Sequence, residues 1–537
     1  MEQQNDLQKR LLLALALSFM VFIAFDLFMP KTMNSVDSNQ TVKSEQSAPQ
    51  IVHNSNLTVP TTAPSSPSSS TTPLSTINAL TTVSSDRFIY TIDELGRIAQ
   101  VTMKEKKYAY EGKALQLLNP DSLNRPLEIR FSNSSLNEEA SKTPYTASAK
   151  ALDLNNGKSK LTLEQKLSST TVTKELTFYK DGHYDININL STPQEYFIMP
   201  GERPVADHTR YMVVQGTMIK KNNGELQIIE DGDAEKELTI PNVEFASSFD
   251  RYFTSILYSF EKPLTVYTQV TKDENALIFV QGTPSFALHG YLGPKESKIL
   301  AAINPKLTDA IEYGMITFIA KLLFKLLNWL HTYVGNWGWA IVLVTLLLKL
   351  LLFPLSYKGM MSMQKLKDLS PQMKELKEKY GKDPQKMNMK MMEMYKKEGA
   401  NPMGGCLPMI LQIPIFFAIY RVLLNSVELQ GANWIWFFQD LTHSVAWTNL
   451  FDPYIILPIL MGISMWYQQK LTPNTMTDPM QQKIFQWLPV VMTVFFITFP
   501  AGLVLYWLTN NLFSIGQQLV INRAYTKQKA AKAASKK

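Results

Sequence analysis

Cysteine is almost absent from this chain of 537 residues, which contains only Cys406. An intrachain disulfide and chemistry that depends on paired cysteines are therefore excluded. Histidine is also scarce, and the three histidines of the strand-rich region, His183, His208 and His289, lie neither at metal-ligand spacing nor beside a nucleophile motif. The sequence thus predicts no enzyme activity, no catalytic residue, no metal and no cofactor.

Acidic residues are missing from every long apolar run after residue 335, and Lys and Arg are missing from 428–453. The net charge of +7 is compatible with binding to nucleic acid or to anionic lipid. The positive charge lies beside apolar runs, and no RNA-binding motif of basic and aromatic residues is present. Anionic lipid is therefore the expected partner, and specific nucleic-acid recognition is not expected.

The mean hydropathy of −0.09 conceals two chemically different regions. Residues 31–304 are polar and strand-like, whereas 310–521 are dominated by long apolar runs. Because these regions need different solvents, the chain is predicted to combine a water-soluble domain with a membrane domain.

Residues 1–30 indicate a transmembrane anchor. Lys9-Arg10 precede the apolar run Leu11–Phe28, which is long enough to cross a bilayer as a helix. A cleaved signal peptide is the alternative, but the run is longer than usual for a signal and no small-x-small cleavage motif follows. The basic flank predicts a cytoplasmic N-terminus. Residues 31–80 are predicted to be a disordered external linker, since Thr61–Ser75 is almost entirely Ser, Thr and Pro.

Residues 81–305 show the period-two alternation of β-strands. The strongest hairpin signal is Asp181-Gly182, between the strand-like segments Val172–Tyr179 and Tyr184–Leu190. Many short strands with tight turns predict an antiparallel β-sandwich. We expect it to act in binding or as a spacer, because it contains no recognisable acid–base constellation.

Residues 306–334 are predicted to form an amphipathic interfacial helix. Within Ile311–Val334, apolar residues recur at helical spacing, Lys321 and Lys325 lie opposite them, and Trp329 suits the depth of the lipid headgroups. A core helix of a soluble domain is the alternative, which the adjacent apolar run makes less attractive.

Residues 335–522 form the predicted membrane core. Its expected spans are about 337–355, 407–427, 455–467, 484–499 and 501–521. The segments 455–467 and 484–499 are short enough to be buried or re-entrant instead. Together with the anchor, the spans would number six and leave both termini in the cytoplasm.

The distribution of lysine supports this topology. Residues 358–398 contain eleven lysines against six acidic residues, and the tail 523–537 is also basic. Both would lie in the cytoplasm, and the Lys- and Arg-free segment 428–453 would lie outside, as the positive-inside rule requires.

Residues 358–400 are predicted to form a cytoplasmic helical hairpin, with Ser370-Pro371 starting a helix and a turn near Gly381. The faces expected to meet in a methionine-rich seam contain Met373, Leu376 and Tyr380 on one helix, and Met387, Met391 and Met394 on the other. The methionines either fill this seam or offer a pliable surface to varied apolar clients.

Polar residues are expected at similar depth on three membrane helices. Lys349 would lie about 9 Å inside its span, with Thr345 one turn earlier and Gln412 near the start of the next span. On the last helix, four polar or amphipathic residues share a face: Trp507, Asn511, Ser514 and Gln518. Together they suggest a hydrated groove that opens to the cytoplasm. The alternative is that Lys349 snorkels to the membrane interface and that the amide side chains form hydrogen bonds to neighbouring helices.

Seven segments, in order along 310–521, resemble the YidC family of membrane insertases. They are Gly335-Asn336-Trp337-Gly338, Phe353-Pro354-Leu355, Asn401-Pro402-Met403-Gly404-Gly405-Cys406, Gln412-Ile413-Pro414-Ile415-Phe416, Leu457-Pro458-Ile459-Leu460-Met461-Gly462, Thr477-Asp478-Pro479-Met480-Gln481-Gln482-Lys483 and Pro500-Ala501-Gly502-Leu503-Val504-Leu505-Tyr506. The anchor, linker and large β domain resemble the Gram-negative branch. The implied fold is a six-span polytopic α-helical membrane protein with a five-helix insertase core and a periplasmic antiparallel β-supersandwich.

The resemblance also implies a function in the bacterial inner membrane. The hydrophilic groove would accept the hydrophilic end of a client, and the client's apolar segment would leave along the third and fifth spans. The family usually has Arg in the groove, where this chain has Lys349, so the charge is kept but the bidentate fork is lost. Tyr506 matches the first aromatic residue of a family pair on the last helix, and Trp507 replaces the second. The implied partners are nascent membrane proteins, the Sec translocon with its accessory subunits, the ribosome and anionic lipids.

Two functions of other classes compete with this interpretation. A transporter would be expected to show repeated halves and a midplane site, whereas no internal repeat is visible and the polar residues lie toward one side. A membrane-anchored carbohydrate enzyme would need a general acid and base in the β domain.

Overall fold

The computed structural model describes residues 78–109, 112–205, 213–282, 286–380, 383–399, 407–472 and 479–534. The predicted anchor and almost all of the predicted linker lie outside these ranges. The chain divides into two compact units. The β unit comprises the described residues up to Phe324 together with Ala418–Asn433, and the helical unit comprises those of Lys325–Phe417 and Trp434–Lys537.

The β unit is a sandwich of two sheets. Its strands are β1 (Ala79–Ser84), β2 (Phe88–Asp93), β3 (Ile98–Met103), β4 (Leu115–Gln116), β5 (Ile129–Phe131), β6 (Thr146–Ala147), β7 (Ala151–Asp153), β8 (Lys158–Lys166), β9 (Thr171–Tyr179), β10 (His183–Leu190), β11 (Tyr196–Ile198), β12 (Gly216–Lys221), β13 (Leu226–Glu230), β14 (Leu238–Phe249), β15 (Phe253–Tyr258), β16 (Leu264–Val270), β17 (Ala276–Gln281) and β18 (Phe286–Pro294). Five strands form one sheet in the order β4-β3-β2-β1-β7. The other sheet has thirteen, in the order β5-β11-β17-β16-β14-β15-β18-β10-β9-β8-β6, with β12 paired to β14 and β13.

The core lies between the two sheets. Tyr90 of the smaller sheet packs against Phe178 and Tyr184 of the larger one, with ring centroids 5.6 and 6.4 Å apart. The single hydrogen of its buried hydroxyl is shared between the carbonyl oxygens of Gly182 and Leu292, each 2.8 Å from the hydroxyl oxygen. The sandwich is antiparallel apart from the parallel pair β1–β7, so the predicted large β domain is confirmed.

The β9–β10 hairpin forms where the sequence predicted it. Phe178 pairs with Tyr184, and every second residue of β9 is buried. Gly182 adopts φ +98° in the connecting turn, a conformation that side chains with a Cβ rarely adopt. The local turn signal and the period-two pattern therefore agree with the tertiary structure.

The β unit also contains a segment of the predicted membrane core, Ala418–Asn433. Arg251 Nε donates a 2.6 Å hydrogen bond to the Leu424 carbonyl oxygen, and Ser297 N donates one of 3.0 Å to Glu428 Oε1. Val427 is fully buried and belongs to the same apolar cluster as the sandwich core. Gly431, at φ +60°, approaches so closely that a Cβ there would lie 2.8 Å from Lys107 Cα. No local pattern in the sequence indicates this packing.

Ten α-helices occur in the described residues. They are α1 (Ser134–Ala140), α2 (Ser297–Ile303), α3 (Thr317–Val334), α4 (Trp337–Leu351), α5 (Phe353–Tyr380), α6 (Pro384–Lys397), α7 (Leu407–Asn425), α8 (Ile456–Leu471), α9 (Pro479–Phe496) and α10 (Ala501–Ala534). Within the helical unit, α10 packs on α4, α5 and α8, while α9 packs on α8 and α6 on α5.

The predicted interfacial helix begins later than expected. Residues Gly314–Ile316 form a 3₁₀ turn, and α3 starts at Thr317 rather than Ile311. Gly314 has φ +77°, which interrupts a right-handed helix. The apolar residues of α3 also divide between a buried side that includes Leu323 and Leu327 and an exposed side that includes Phe318 and Tyr333.

The second predicted span breaks near its C-terminal end. It was expected to continue to Leu355, but α4 ends at Leu351 and α5 starts at Phe353 with a 64° change of direction. Pro354 explains the break, because it lacks an N–H and its ring would clash with the Leu350 carbonyl in a straight helix. Lys349 consequently lies in the last turn of α4 rather than one and a half turns inside the span.

The predicted helix start at Ser370-Pro371 is wrong. Helix α5 continues through Pro371 to Tyr380. A Ser-Pro pair favours a helix start when it follows a loop, but here it follows helix formers whose side chains Leu366 and Leu369 are buried. Packing of these residues outweighs the loss of one backbone hydrogen bond at Pro371.

Length and composition allow no single described helix to cross a membrane on its own, although the bent pair α4 and α5 passes this test together. The six-span count therefore stays a prediction.

Candidate functional site

Lys349 is held against the last helix of the helical unit. Its Nζ donates a 2.8 Å hydrogen bond to Ser514 Oγ, and Ser514 in turn donates 2.7 Å to the Asn510 carbonyl oxygen. Gln517 Nε2 donates to the backbone oxygen of Lys349 at 3.3 Å. The side chain is half-buried, and no carboxylate among the described residues lies within salt-bridge distance of it. Its charge is therefore stabilised by neutral dipoles and by the C-terminal end of α4.

A small cavity lies beside this lysine. It encloses about 10 Å³ and is lined by residues of α4, the break after it, α7 and α10, namely Thr345, Leu348, Lys349, Leu352, Gln412, Ile415, Tyr506 and Asn510. A space of this size holds about one water molecule. Gln412 Nε2 donates a 2.9 Å hydrogen bond to Asn510 Oδ1, which links α7 to α10. The structure thus brings Thr345, Lys349, Gln412 and Tyr506 together around a small, partly open space.

The predicted polar face of α10 divides between several neighbours. Ser514 contacts Lys349, whereas Asn511 Nδ2 donates to Ser464 Oγ of α8 at 3.1 Å. Gln518 Nε2 donates to Asn522 Oδ1 at 2.6 Å. Trp507 packs with its ring centroid 4.8 Å from those of both Phe416 and Phe496. Asn511, Gln518 and Trp507 therefore do not line the cavity around Lys349.

Sequence reasoning missed Asn510 and Gln517. Both lie beside Lys349 on α10. Counting from Tyr506 in steps of four, four and three reaches Asn510, Ser514 and Gln517, whereas the prediction started from Trp507 and so selected the neighbouring face. The adjacent pair Asn510-Asn511 could have indicated a second polar face on α10, because one of two consecutive helical residues can face α4 while the other faces α8.

The predicted cytoplasmic hairpin, residues 358–400, corresponds to α5 from Lys358 onward and to α6. Leu366 and Leu369 are buried against Met363, Met394 and Tyr395. Tyr395 donates its hydroxyl hydrogen to Met373 Sδ at 3.4 Å. Met373 and Met394 therefore lie in a seam between α5 and α6.

Other methionines of α6 differ in exposure. Met387 and Met391 are half-buried, while Met389 and Met392 are 53% and 51% exposed. The helix begins with Asp383, whose Oδ1 accepts a 3.0 Å hydrogen bond from Lys386 N, followed by Pro384 at the first position. The exposed methionines of α6 are thus Met389 and Met392, which the sequence pattern did not select.

Within the described ranges, no group of three His, Cys, Asp or Glu side chains is placed to hold a metal ion.

The structure combines a helical unit with a large β sandwich, and comparison with known proteins identifies the class of the protein. Residues 329–529 match the family described as 60Kd inner membrane protein, and 80–326 match the YidC periplasmic domain. The chain is therefore an inner-membrane protein with a periplasmic domain.

Relatives named membrane protein insertase YidC match along the whole chain. The one from Campylobacter jejuni is 46% identical over 98% of this chain and 98% of its own length. Those from Wolinella succinogenes and Helicobacter pylori are 47% and 45% identical, over 98% and 99% of this chain and 97% and 99% of their own lengths. The chain belongs to the YidC family.

Proposed function

We propose that this protein inserts other proteins into the bacterial inner membrane, and that the cavity beside Lys349 is where the hydrophilic end of a client segment first binds. The observation that carries this proposal is a half-buried cation bonded to a hydroxyl group and lacking a described carboxylate partner. Ionisable residues inside membrane spans are a common mark of substrate or ion paths. Family membership supports the same activity.

The charge of Lys349 would attract an acidic client tail. Two unit charges 4 Å apart attract by roughly 4 kcal/mol at an effective dielectric near 20, against about 1 kcal/mol in water. Desolvation of the lysine and of the client carboxylate offsets part of this gain. The remaining attraction is sufficient to bias entry without trapping the client.

The cavity must widen before a client can enter, because it holds about one water molecule. Two hydrogen bonds across it, Lys349 to Ser514 and Gln412 to Asn510, join α10 to α4 and to α7. The polar groups of a hydrated client tail can replace each of these two hydrogen bonds with a new one. The exchange of these bonds for client contacts makes opening reversible.

The proposed topology has six spans with both termini in the cytoplasm. The lysine-rich hairpin and the basic tail lie inside, and 428–453 lies outside. With this orientation the cavity opens toward the cytoplasm, where nascent clients emerge. The client's apolar segment would leave between α7 and α9, the third and fifth spans.

The proposed partners follow from the same surfaces. Nascent membrane proteins would contact the cytoplasmic hairpin through Met389 and Met392, which are exposed and adaptable in shape. The basic tail would contact ribosomal RNA phosphate and anionic lipid. Cooperation with the Sec translocon and its accessory subunits is the remaining part of the proposal. No feature of the chain favours a transporter.

Insertion by purified protein tests the proposal directly. We expect vesicles that contain the full-length protein to insert a small two-span client without an added energy source, and empty vesicles to insert much less. Protection of the client's translocated loop from protease is the measurement. Equal protection with and without the protein would contradict the proposal, and client-independent solute flux would favour a transporter.

A further inference from the structure

The loop between α7 and α8 exposes large apolar side chains. Within residues 434–453, here called the aromatic loop, Trp436 is 86% and Phe451 98% exposed. Three further residues of the loop are also exposed, namely Phe437, Trp447 and Leu450. Such a concentration of exposed aromatic area marks an interaction surface.

The exposed side chains do not result from a loosely packed loop. Phe438, Leu441 and Val445 of the same loop are buried. The Leu441 and His443 carbonyl oxygens accept 2.8 Å hydrogen bonds from the N–H groups of Gly502 and Ala501, at the start of α10. One side of the loop is therefore fixed on the helical unit.

Further hydrogen bonds fix the loop internally. The Tyr454 hydroxyl oxygen accepts bonds of 2.7 and 2.9 Å from the N–H groups of Gln439 and Asp440. His443 Nε2 lies 2.7 Å from Asp452 Oδ2. At its other end, the Trp434 carbonyl oxygen accepts a 3.0 Å bond from Asn336 Nδ2. These bonds hold the backbone in one conformation.

Trp436 has φ +50°, a left-handed conformation that is costly for a bulky residue. Its indole gains little packing within the helical unit in return, because most of its surface is exposed. Strain at an exposed aromatic residue is expected where the side chain meets a ligand or surface outside the chain.

We propose that the aromatic loop inserts Trp436 and Phe451 into the outer-leaflet interface of the bilayer. Trp is enriched at the boundary between headgroups and acyl chains, where an apolar ring body and a polar N–H are both accommodated. The loop contains no Lys or Arg and directly joins two proposed spans, so the lipid surface is the nearest apolar medium. This inference rests on the proposed topology, which places 428–453 outside.

Spin labels on the full-length protein in phosphatidylethanolamine–phosphatidylglycerol vesicles test this placement. In a Cys406→Ser background, single cysteines at Phe451→Cys and Trp436→Cys are labelled, with Asn449→Cys as a matched exposed polar position of the same loop. We expect the labels at 451 and 436 to collide more with oxygen, which concentrates in the bilayer, than with a water-soluble nickel chelate. The label at 449 should show the opposite preference.

Each other outcome overturns the proposal. Nickel accessibility at 436 and 451 equal to that at 449 would place the loop in water. Protection from both reagents would indicate a protein partner or a second copy instead of lipid. Trp436→Phe, which keeps an aromatic ring, gives a second readout, because it should remove part of the fluorescence that brominated lipids quench. Client insertion is measured on the same vesicles, so normal insertion with a water-exposed loop would reject this inference alone.

Discussion

Each unit contains a lysine in apolar surroundings, and the two lysines differ in their hydrogen-bond partners and in their exposure. In the β unit, Lys174 is 1% exposed, donates to the Gly96 and Leu127 carbonyl oxygens at 3.1 and 2.8 Å, and lies 4.5 Å from the centre of the Tyr145 ring. In the helical unit, half-buried Lys349 donates to the Ser514 hydroxyl and borders a cavity. The first lysine is fully enclosed and serves the fold, whereas the second retains capacity for a partner.

The largest effect is expected from substitutions that change the charge of Lys349 in the helical unit. Lys349→Arg should keep insertion, Lys349→Ala should slow clients with acidic translocated tails, and Lys349→Glu should slow them most, on the order of tenfold if about 1.4 kcal/mol of the attraction survives desolvation. Insertion rates of matched clients that differ only in tail charge are the measurement.

Neutral-tailed clients provide the control for Lys349, since they should respond much less. Each variant must also accumulate normally in the membrane. If every variant inserts both clients equally well, Lys349 is a snorkelling residue and the electrostatic proposal fails.

A second prediction concerns the cytoplasmic hairpin. Replacing Met361–Glu398 with a short linker should reduce client crosslinking, but this deletion also removes the salt bridge of 2.8 Å between Lys529 and Asp368. The double substitution Met389→Ser and Met392→Ser is a more specific test, because both side chains are exposed and their replacement leaves that salt bridge in place. It should lower crosslinking without lowering thermal stability.

Met394→Ser is the matched control within the same helix. Met394 packs in the seam, so its loss should loosen the hairpin, seen as faster amide hydrogen exchange in α6. Wild-type crosslinking by the double variant would mean that the methionines only fill the hairpin.

The β unit is expected to be largely dispensable for insertion. Deleting residues 85–290 while keeping the anchor should leave complementation of a depletion strain largely intact, because Lys349 and its cavity belong to the helical unit. The deletion does remove the packing around Val427 and the Arg251 bond to the Leu424 carbonyl oxygen, so a modest loss of thermal stability should accompany it.

Arg251→Lys is a smaller test of the same contact. It keeps a cation but loses the guanidinium geometry, and should lower stability less than the deletion. Lost insertion by a deletion protein that accumulates normally would show that the β unit has a direct role.

The smallest expected effect concerns Lys174. Burial lowers the pKa of Lys174 to about 7, whereas in the unfolded chain the lysine keeps its proton to a much higher pH. The unfolded state therefore binds more protons above pH 7, and this lysine makes the β unit more stable as pH rises from 7 toward 10. Lys174→Met should flatten that part of the pH profile of Tm. Lys160→Met, at a position 57% exposed, should not change it.

Local patterns predicted the elements better than their ends. The alternation of β9 and β10, and the turn at Gly182, needed only neighbouring residues. The start of α3 depends on Gly314, and the break at Leu352 depends on Pro354. The backbone effect of each single residue interrupts a helix within a long apolar run, which hydrophobic periodicity alone does not predict. The interior Pro371 shows the opposite error, since packing by Leu366 and Leu369 overrode a local stop signal.

The candidate site shows the same limit. Helical spacing placed Thr345 and Lys349 on one face, and the family resemblance implied Tyr506. Only the structure places these three residues with Gln412 around one cavity. The sequence pattern grouped Asn511 with Lys349, whereas the structure places Asn510 beside Lys349. Consecutive side chains on α10 point in directions about 100° apart, and only the packing of neighbouring helices determines which one faces Lys349.

The sequence by itself determined the division into a β domain and a membrane domain, the family, and the lysine on which the proposed function depends. These follow from periodicity, composition and motif order, which are local properties of the chain. The tertiary structure decided which α10 residues face Lys349, how small the cavity is, and that Ala418–Asn433 packs within the β unit. The physical reason is that such contacts join residues far apart in the chain, and their energies depend on the position of both partners.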